Sequence, residues 1–290
     1  MNADFILTAV IQGLAFSGLG FGIYLSLRIF NIPDITTDGS YTLGGTIAAL
    51  AISSSVHPAT AILLAICGGV AAGAGTGWIH TFLKVNALLS GILMMTALYS
   101  INLILLGRPN LPLIDTDSIF TVLQGFTEAQ GTMAALLIIV TLLSALLFFL
   151  LKTDFGIAMR ATGNSEAMVR AMGINVNRMK ITGLALANGC TACSGALIIQ
   201  YQGFADINMG IGIVISGLGA VMIGETVFGP LIRRSLLFHL IAVVCGGLLF
   251  RLAIAGALSA GIDPSYLRLI TAMIVLAIVS AGSFRKSKVA

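Results

Sequence analysis

The sequence predicts an all-α integral membrane protein of about nine transmembrane helices, two of them broken. Of its 290 residues, 58% are hydrophobic and 9% are charged, whereas soluble domains carry roughly 25% charged residues. The mean hydropathy is +1.04. The apolar residues also fall into runs about as long as a membrane-spanning helix, which takes roughly 20 residues. We therefore expect residues 1–290 to form a single transmembrane domain without a soluble catalytic domain.

Polar residues, proline and glycine divide the chain into its apolar segments. The expected spans are 5–27, 40–54, 59–80, 88–106, 131–151, 181–200, 210–228, 235–256 and 266–284. The first segment has no basic residues before it and is long enough to cross a membrane. We expect it to be a retained span and not a cleaved signal peptide.

Two segments are interrupted and predict broken helices. Residues 31–45, "NIPDITTDGSYTLGG", carry proline, glycine and two aspartates, and residues 203–230 carry several glycines. Pro-Asp-Ile at 33–35 resembles Ala-Asp-Ile at 205–207, and the two segments run in opposite directions. Paired interrupted helices of opposite direction are typical of inverted repeats, which form the translocation path in many transporters. The sequence permits such a repeat without establishing it.

Basic residues predict the orientation. Twelve of the fifteen Lys and Arg residues fall on one side of the predicted topology, and cytoplasmic loops carry the basic excess in membrane proteins. That side holds Arg28, Lys84, Lys152, Arg160, Arg170, Arg178, Lys180, Arg233, Arg234, Arg285, Lys286 and Lys288; Arg108, Arg251 and Arg268 lie near the other. We expect the N-terminus outside, the C-terminus inside, loop 152–180 in the cytoplasm and loop 107–130 outside.

The cytoplasmic loop 152–180 is the longest polar stretch. Ser165 suits the N-cap of a short helix over residues 166–172, and Thr162, Gly163 and Asn164 predict a break before it. Glu166 and Arg170 are four residues apart, so they can pair. The loop can be an ordinary solvated connection. A compact helix with exposed methionines is better suited to binding a partner, because methionine adapts to irregular apolar grooves.

Glycine and cysteine predict packing and not chemistry. Gly69, Gly73 and Gly77 form a stripe that favours close helix contacts, more often within one chain than between two. All four cysteines lie in apolar segments, and Cys190 and Cys193 form a CxxC without a second pair. A zinc site needs about four converging ligands, so we expect no metal site.

Residues 155–197, "FGIAMRATGNSEAMVRAMGINVNRMKITGLALANGCTACSGAL", resemble the cytoplasmic loop of ATP-binding-cassette (ABC) importer permeases of the branched-chain amino acid and ribose type. The shared residues are Gly156, Arg160, Ala161, Asn164, Ala167, Ala171, Gly173, Ile174, Lys180, Gly195 and Leu197. Asn31, Gly39, Leu43 and Gly44 are similar to an early stretch of the same family. Within it, the tryptophan and tyrosine transport permeases are the most similar.

The resemblance implies that the loop contains a coupling helix, which seats in a groove of a separate ATPase subunit. The docking residues would be Asn164, Ser165, Glu166, Met168, Val169, Arg170, Met172 and Gly173. The chain has no Gly-Lys dipeptide and therefore no Walker A loop. We expect it not to be an enzyme and to hold no cofactor, with ATP and Mg on the ATPase. Gly163 departs from the family pattern and is expected to bend the loop.

The resemblance also implies a homodimer, or a pair with a paralogue, around a central path in the bacterial inner membrane. We expect the path to be lined by Asp38, Ser40, Thr42, Thr96, Tyr99, Asn102, Asn208 and Ser216. An extracytoplasmic binding protein would land on loop 107–130, with its Asp115, Asp117 and Glu128. The resemblance implies a small solute as substrate, an amino acid and in particular an aromatic one, while sugars and nucleosides remain alternatives.

The alternative is an ion-coupled secondary transporter. Such proteins usually carry an ionisable residue in the middle of the membrane. In the predicted topology the acidic residues, Asp34 and Asp38 included, lie in loops or at span ends, and only Glu225 is a candidate. A scaffold or assembly factor, the third class, would not need two broken helices. The sequence also has no signature of an intramembrane hydrolase or of nucleic-acid binding.

Overall fold

The polypeptide is almost entirely helical in the residues that the computed structural model describes, 3–114, 116–121, 128–232, 235–263 and 266–287. The helices are α1 (Ala3–Ala15), α2 (Ser17–Ile23), a π-helical segment (Tyr24–Ile29), α3 (Thr36–Ser53), α4 (Pro58–Phe82), α5 (Ala87–Leu106), α6 (Glu128–Lys152), α7 (Asp154–Asn164), α8 (Glu166–Ala171), α9 (Val176–Gln202), α10 (Ile213–Ile232), α11 (Leu236–Ser259) and α12 (Leu267–Ser287). Two short strands, β1 (Asn110–Pro112) and β2 (Phe204–Asp206), complete the elements.

Six helical segments in the described ranges are long and apolar enough to cross a membrane. They are Phe5–Ile29, Pro58–Phe82, Ala87–Leu106, Gln130–Lys152, Val176–Gln202 and Leu236–Ser259. Helices α3, α10 and α12 occupy the other three predicted positions but are not among the six. A mostly helical membrane protein is therefore confirmed, while the number of nine spans stays a prediction.

The predicted helix breaks lie before the helices and not within them. Residues 30–35 are non-helical, and α3 then runs without interruption. After β2, residues 207–212 are again non-helical, and α10 continues through Gly217, Gly219 and Gly224. Expecting the α10 glycines to break the helix was wrong, because they face neighbouring side chains and backbone at close range. The π-helical segment at the end of the first span was not predicted.

Polar side chains fix where the helices begin. Asn86 Oδ1 accepts from the backbone N–H of Leu88 at 2.9 Å, and Asn175 Oδ1 accepts from that of Arg178 at 3.1 Å. These are N-caps, which satisfy donors that the first helical turn leaves unpaired. Gly107 and Gly203 end α5 and α9 in the left-handed conformation, with φ of 65° and 75°, where a side chain would be strained.

Helix α9 forms the centre of the bundle and packs on α2, α3 and α4. The stripe of Gly69, Gly73 and Gly77 in α4 faces the backbone of α9, so the helices approach where no Cβ intervenes. This confirms that the stripe packs helices within the chain. On the other side of α9, Ser194 Oγ donates to the carbonyl of Ala15 at 2.6 Å.

The two strands tie the chain together at the end of the bundle where α5 and α9 finish. They are antiparallel, with Asn110 opposite Asp206 and Pro112 opposite Phe204. Gln200 Oε1 accepts from the backbone N–H of Ile119 at 2.9 Å, which fixes the described part of loop 107–130 to α9. We call this the strand end, and the opposite end, with α7 and α8, the loop end. Asp117 is exposed at the strand end. Asp115 and the Glu128 side chain lie outside what is described.

Candidate functional site

Helix α3 begins inside the bundle. Asp34 Oδ1 accepts from the backbone N–H of Thr36 at 2.9 Å, and Oδ2 accepts from Asn188 Nδ2 at 2.7 Å. Asn188 lies near the middle of α9 and is fully buried. Asp34 lies in the non-helical segment before α3, as the sequence indicates, but its side chain is buried inside the bundle. A buried carboxylate needs several donors, and the Asx turn before α3 together with Asn188 supplies them.

Helix α10 also begins inside the bundle, held by Asp38 of α3. The two carboxylate oxygens of Asp38 accept from the backbone N–H groups of Gly212, at 2.8 Å, and of Val214, at 2.9 Å. The carboxylate caps a helix in another part of the chain, and its charge favours the positive end of the helix dipole. Gly210 packs against the Asp38 carbonyl and the Thr42 hydroxyl. Asp38 lies in the first turn of α3, at the helix end where the sequence placed it, but its side chain is buried inside the bundle.

The predicted path residues fall into two groups. Asp38, Ser40, Thr42 and Asn102 are buried within the bundle, whereas Thr96, Tyr99 and Asn208 are exposed and Ser216 is partly exposed. Asn102 Nδ2 donates to the carbonyl of Gly39 at 3.4 Å, which joins α5 to α3. Ser40 Oγ and Asn102 Oδ1 are buried and lack a hydrogen-bond partner among the described residues. The buried group therefore cannot line a surface of the single chain as it stands.

Helix α5 presents polar groups on an otherwise apolar outer face. Thr96, Tyr99 and Ser100 are exposed and lie one turn apart, beside the exposed Ile92 and Leu103. The Thr96 hydroxyl donates back to the carbonyl of Ile92 at 2.8 Å, which satisfies its proton within the helix. A membrane-facing helix rarely carries such a stripe, because unsatisfied polar groups are costly in lipid. This face is suited to water or to a second protein chain.

At the loop end, α7 and α8 form a helical pair. The Ser165 hydroxyl accepts from the backbone N–H of Met168 at 3.4 Å, which confirms Ser165 as the N-cap. Gly173, with φ of 79°, lies just beyond the end of α8. Thr162, Gly163 and Asn164 belong to α7, so the predicted break there was wrong, since the change of direction comes at Ser165. A Cβ at Gly163 would overlap the Ile29 carbonyl oxygen, so this glycine allows close packing and does not bend the loop.

Helix α8 is anchored on one side and open on the other. The Val169 side chain is completely buried, while Met168 and Met172 are 54% and 66% exposed. Asn164, Glu166, Arg170 and Gly173 are exposed, and Ser165 is partly exposed. Of the residues predicted to dock a partner, Val169 instead holds α8 against the bundle. The others surround an apolar surface formed by the two methionines.

A chain of polar contacts links α8 to the α4–α5 connection. Lys180 Nζ lies 2.6 Å from Glu166 Oε1 and 3.4 Å from His80 Nε2, and His80 Nδ1 lies 2.8 Å from the carbonyl oxygen of Val85. If Lys180 donates to Nε2, then Nδ1 carries the proton and donates to Val85. Arg170 lies farther from Glu166, at 3.8 Å, so the predicted pair is the weaker one. The sequence analysis named Lys180 only as a residue shared with the family and did not predict its contacts with Glu166 and His80, because they join distant segments.

A second ion pair lies on the same side of the bundle. Arg28 in the π-helical segment pairs with Glu225 in α10. Tyr24 and His239 pack nearby with ring centroids 5.9 Å apart, joining the same segment to α11. Glu225 was the only acid that the sequence placed in the membrane, and it is paired with a basic side chain that is half exposed. It has the contacts of a structural ion pair near a helix end.

The described residues hold no group of three or more His, Cys, Asp or Glu side chains that could bind a metal ion. Cys190 and Cys193 are buried in α9 and are not bonded to each other. Gly18 lies against the Cys190 carbonyl. In this setting the CxxC is part of a helix contact.

The fold resembles that of a solved ABC transporter. The chain matches, with a TM-score of 0.55 and 16% identity, a transporter provisionally assigned to the metal-chelate type and solved in an inward-facing conformation. The match covers 97% of this chain and 85% of that one. At this identity the likeness shows the fold alone.

Sequence comparisons identify nearer relatives. The chain is 36% identical to the "Tyrosine transport system permease protein" of Clostridioides difficile, over 97% of this chain and 92% of that protein. It is 31% identical to an uncharacterized protein of Rickettsia prowazekii, over 96% and 98%. The Ribose import permease protein RbsC of Escherichia coli is more distant, 25% identical over 84% of this chain and 74% of that protein.

A family profile matches nearly the whole chain. The profile described as "Branched-chain amino acid transport system / permease component" covers residues 5–279. That range contains all six candidate spans, the starts of α3 and α10, and the α7–α8 pair. The resemblance inferred from residues 155–197 is confirmed, and the chain belongs to the family of permease components of branched-chain amino acid transport systems, the membrane subunits of ABC transporters.

Proposed function

We propose that this chain is the permease of an ABC importer that moves an amino acid inward, and that α8 is its coupling helix. The surface of α8 supports the proposal most directly. Met168 and Met172 are exposed on a helix that Val169 and the Glu166–Lys180 pair hold in place. A fixed helix with exposed methionines is suited to an apolar groove on a partner.

Mechanical coupling needs a connection from α8 into the spans. The polar chain through Glu166, Lys180 and His80 reaches both α9 and the α4–α5 connection. Helix α9 in turn holds Asp34 at the start of α3 through Asn188. Direct contacts would therefore transmit a movement of α8 against an ATPase to the start of α3 inside the bundle. ATP and Mg would be bound by that separate subunit.

The translocation path lies between two copies of the chain. Each chain has one α8, whereas two ATPase subunits need two docking helices, so the complex needs two permease chains, either a homodimer or a pair with a paralogue. The polar stripe of Thr96, Tyr99 and Ser100 on α5 would face the path or the second copy. The buried Asp38, Ser40, Thr42 and Asn102 lie behind this face, where they position α3, α5 and α10. Asn208 lies in the segment that leads into α10, and Ser216 lies in the first turn of α10.

The starts of α3 and α10 inside the bundle support an inverted repeat. Asp34 makes an Asx turn before α3, and Asp206 makes a similar one, with Oδ1 accepting from the N–H of Asn208 at 2.7 Å. Helix α3 packs on α4 and α5, and α10 packs on α11 and α12. In an inverted repeat the site lies where half-helices start near mid-membrane. The proposed substrate passage lies at this level.

The substrate that fits best is an amino acid, and an aromatic one in particular. The support is the relative with tyrosine transport in its name, at 36% identity. Ribose is the competing class, since a ribose permease also matches, at 25% identity. The substrate would be delivered by an extracytoplasmic binding protein that lands at the strand end, near the exposed Asp117.

The basic residues support the orientation in the inner membrane. Arg28, Lys84, Lys152, Arg160, Arg170, Arg178 and Lys180 all belong to the loop end or the segments that lead to it, while Arg108 and Arg268 lie toward the strand end. The positive-inside rule then places α7 and α8 in the cytoplasm. The N-terminus is outside and the C-terminus inside.

An ion-coupled transporter is the alternative, and the buried Asp34 and Asp38 are what would favour it. Both oxygens of each carboxylate already accept hydrogen bonds from backbone or amide donors. Such carboxylates serve as helix caps and are poorly placed to release and take up protons. Membership of a family of ABC permeases also favours ATP as the energy source.

Uptake measurements in the native host test the proposal. Deleting the gene should reduce accumulation of radiolabelled tyrosine but not of ribose, and restoring it should recover uptake. Depleting ATP with arsenate should stop uptake, whereas a protonophore at unchanged ATP should not. Uptake that stops with the protonophore alone would support the ion-coupled alternative. If restoring the gene recovered uptake of ribose and not of tyrosine, the substrate would be a sugar and not an amino acid.

A further inference from the structure

A polar cavity of about 420 Å³ lies between the α4–α5 connection and α8. Its volume falls in the range of small-molecule sites, roughly 300–1,000 Å³. Seven polar side chains line it: His80, Thr81, Lys84, Asn86, Arg170, Asn177 and Lys180. A second cavity of the same size adjoins it on the Asn31 side and shares His80, Asn86 and Lys180.

The lining of the first cavity is basic. It contains two lysines, an arginine and a histidine, and it contains no Asp or Glu. The charge of Lys180 is balanced by Glu166, at 2.6 Å. Arg170 is held only loosely by the same carboxylate, at 3.8 Å, and the described residues form no ion pair with Lys84. The cavity therefore carries positive charge that is available to bind an anion.

The backbone at Lys84 adds a second observation. This residue follows α4 with a φ of 56°, in the left-handed region. Glycine is the usual residue at such a position, because side chains are strained there. A lysine at this turn carries a conformational cost, and the turn places its side chain at the cavity beside the C-terminal end of α4.

The outer surface beside the cavity has the features of a membrane–water interface. The rings of Trp78, the only tryptophan of the chain, and Phe82 pack in a tilted arrangement with centroids 6.1 Å apart. Both residues and Leu83 are more than half exposed. Tryptophan is enriched at the level of lipid headgroups. His80 and Lys84 line the cavity from the same end of α4. The cavity is therefore level with the headgroups of surrounding lipids.

We propose that this cavity binds a phosphate group, with Lys84 and Arg170 as the main cationic ligands and Asn86 and Asn177 as further donors. Arginine binds phosphate oxygens in pairs and lysine acts as a point charge. Basic pockets on the cytoplasmic side of membrane proteins suit anionic lipid headgroups, and a soluble phosphate offers the same chemistry. A phosphate there joins the α4–α5 connection to α8. The inference does not depend on the identity of the transported substrate.

The test compares the thermal stability of the purified full-length chain in mild detergent with three additives. These are phosphatidylglycerol, the zwitterionic phosphatidylcholine, and inorganic phosphate. The wild type should be stabilised by phosphatidylglycerol, by phosphate, or by both, and not by phosphatidylcholine. Lys84→Gln with Arg170→Gln should weaken the apparent affinity for that additive at least tenfold.

A matched variant controls for overall charge. The variant Lys152→Gln with Arg178→Gln also removes two positive charges at the loop end, but from residues outside the cavity lining. It should respond to the additives as the wild type does. Equal melting temperatures without additive show that both variants are folded, and Lys84→Gln alone replaces the double variant if it fails this check. Response to phosphatidylglycerol alone assigns a lipid site, and response to phosphate alone a soluble ligand. No anion response in the wild type, or equal loss in both variants, would overturn the proposal.

Discussion

The carboxylate of Glu166 in α8 lies 2.6 Å from the ammonium group of Lys180 in α9. The Lys180 side chain is 14% exposed and that of Glu166 is 45% exposed. The pair therefore lies at the boundary between the surface helix and the bundle. In the proposed mechanism it is the electrostatic link between the coupling helix and the spans.

Reversing this pair tests the link. Glu166→Lys and Lys180→Glu should each reduce ATP-driven uptake several-fold, because each places like charges together. Partly exposed pairs are worth about 0.2–1 kcal/mol, so stability should change little. The double variant with both changes should recover most of the uptake. Single variants with normal uptake would show that the pair does not transmit motion.

Replacing Asp38 tests the cap on α10. Asp38→Leu leaves two backbone N–H groups at the start of α10 without an acceptor, at a cost of about 1–3 kcal/mol each. Asp38→Asn keeps one acceptor oxygen and should lose about half as much. Unfolding of the purified chain in detergent, followed by circular dichroism, measures both. If Asp38→Leu were as stable as the wild type, the carboxylate would not be holding α10.

Filling a close helix contact tests the packing of α4 on α9. A side chain at Gly73 would overlap the Leu184 carbonyl oxygen, so Gly73→Val should destabilise the chain by at least about 1–3 kcal/mol. Gly256 in α11 has nothing within 4 Å of the added Cβ. Gly256→Val should therefore cost less than about 1 kcal/mol. Similar losses at both positions would show that the loss does not come from the contact between α4 and α9.

Cross-linking tests whether the polar face of α5 meets its copy. In a chain with the exposed Cys67 replaced by Ser, Tyr99→Cys should form a disulfide dimer under mild oxidation in native membranes. Leu142→Cys, on the 68% exposed outer face of α6, should not. Dimers formed at residue 142 and absent at residue 99 would move the interface to α6.

The sequence predicted the helical elements well because apolar runs of span length have one stable structure in a membrane. It also identified the N-cap at Ser165 and the packing role of the Gly69–Gly77 stripe, since both depend on local spacing. The buried positions of Asp34 and Asp38 were missed. Their partners, Asn188 and the N–H groups of Gly212 and Val214, are more than 150 residues away, and such pairing leaves no local pattern.

The predicted docking residues, which fall between Asn164 and Gly173, differ in their exposure in the structure. A helix on the surface of the bundle buries only its inner face, about one residue in each turn of 3.6, so Val169 of the six-residue α8 is buried between exposed neighbours. Helical spacing could have indicated this. The contact of Lys180 with His80 could not have been inferred, because it depends on how α4 packs against α9.

The most direct test of the central claim is the composition of the complex purified from the native host. The chain, tagged at its C-terminus and extracted in mild detergent, should co-purify with an ABC ATPase in an equimolar ratio by quantitative mass spectrometry. Met168→Asp with Met172→Asp should lose that ATPase, whereas Met168→Leu with Met172→Leu should keep it. A wild-type chain that purifies without any nucleotide-hydrolysing partner, or an ATPase that stays bound to the aspartate variant, would contradict docking through α8.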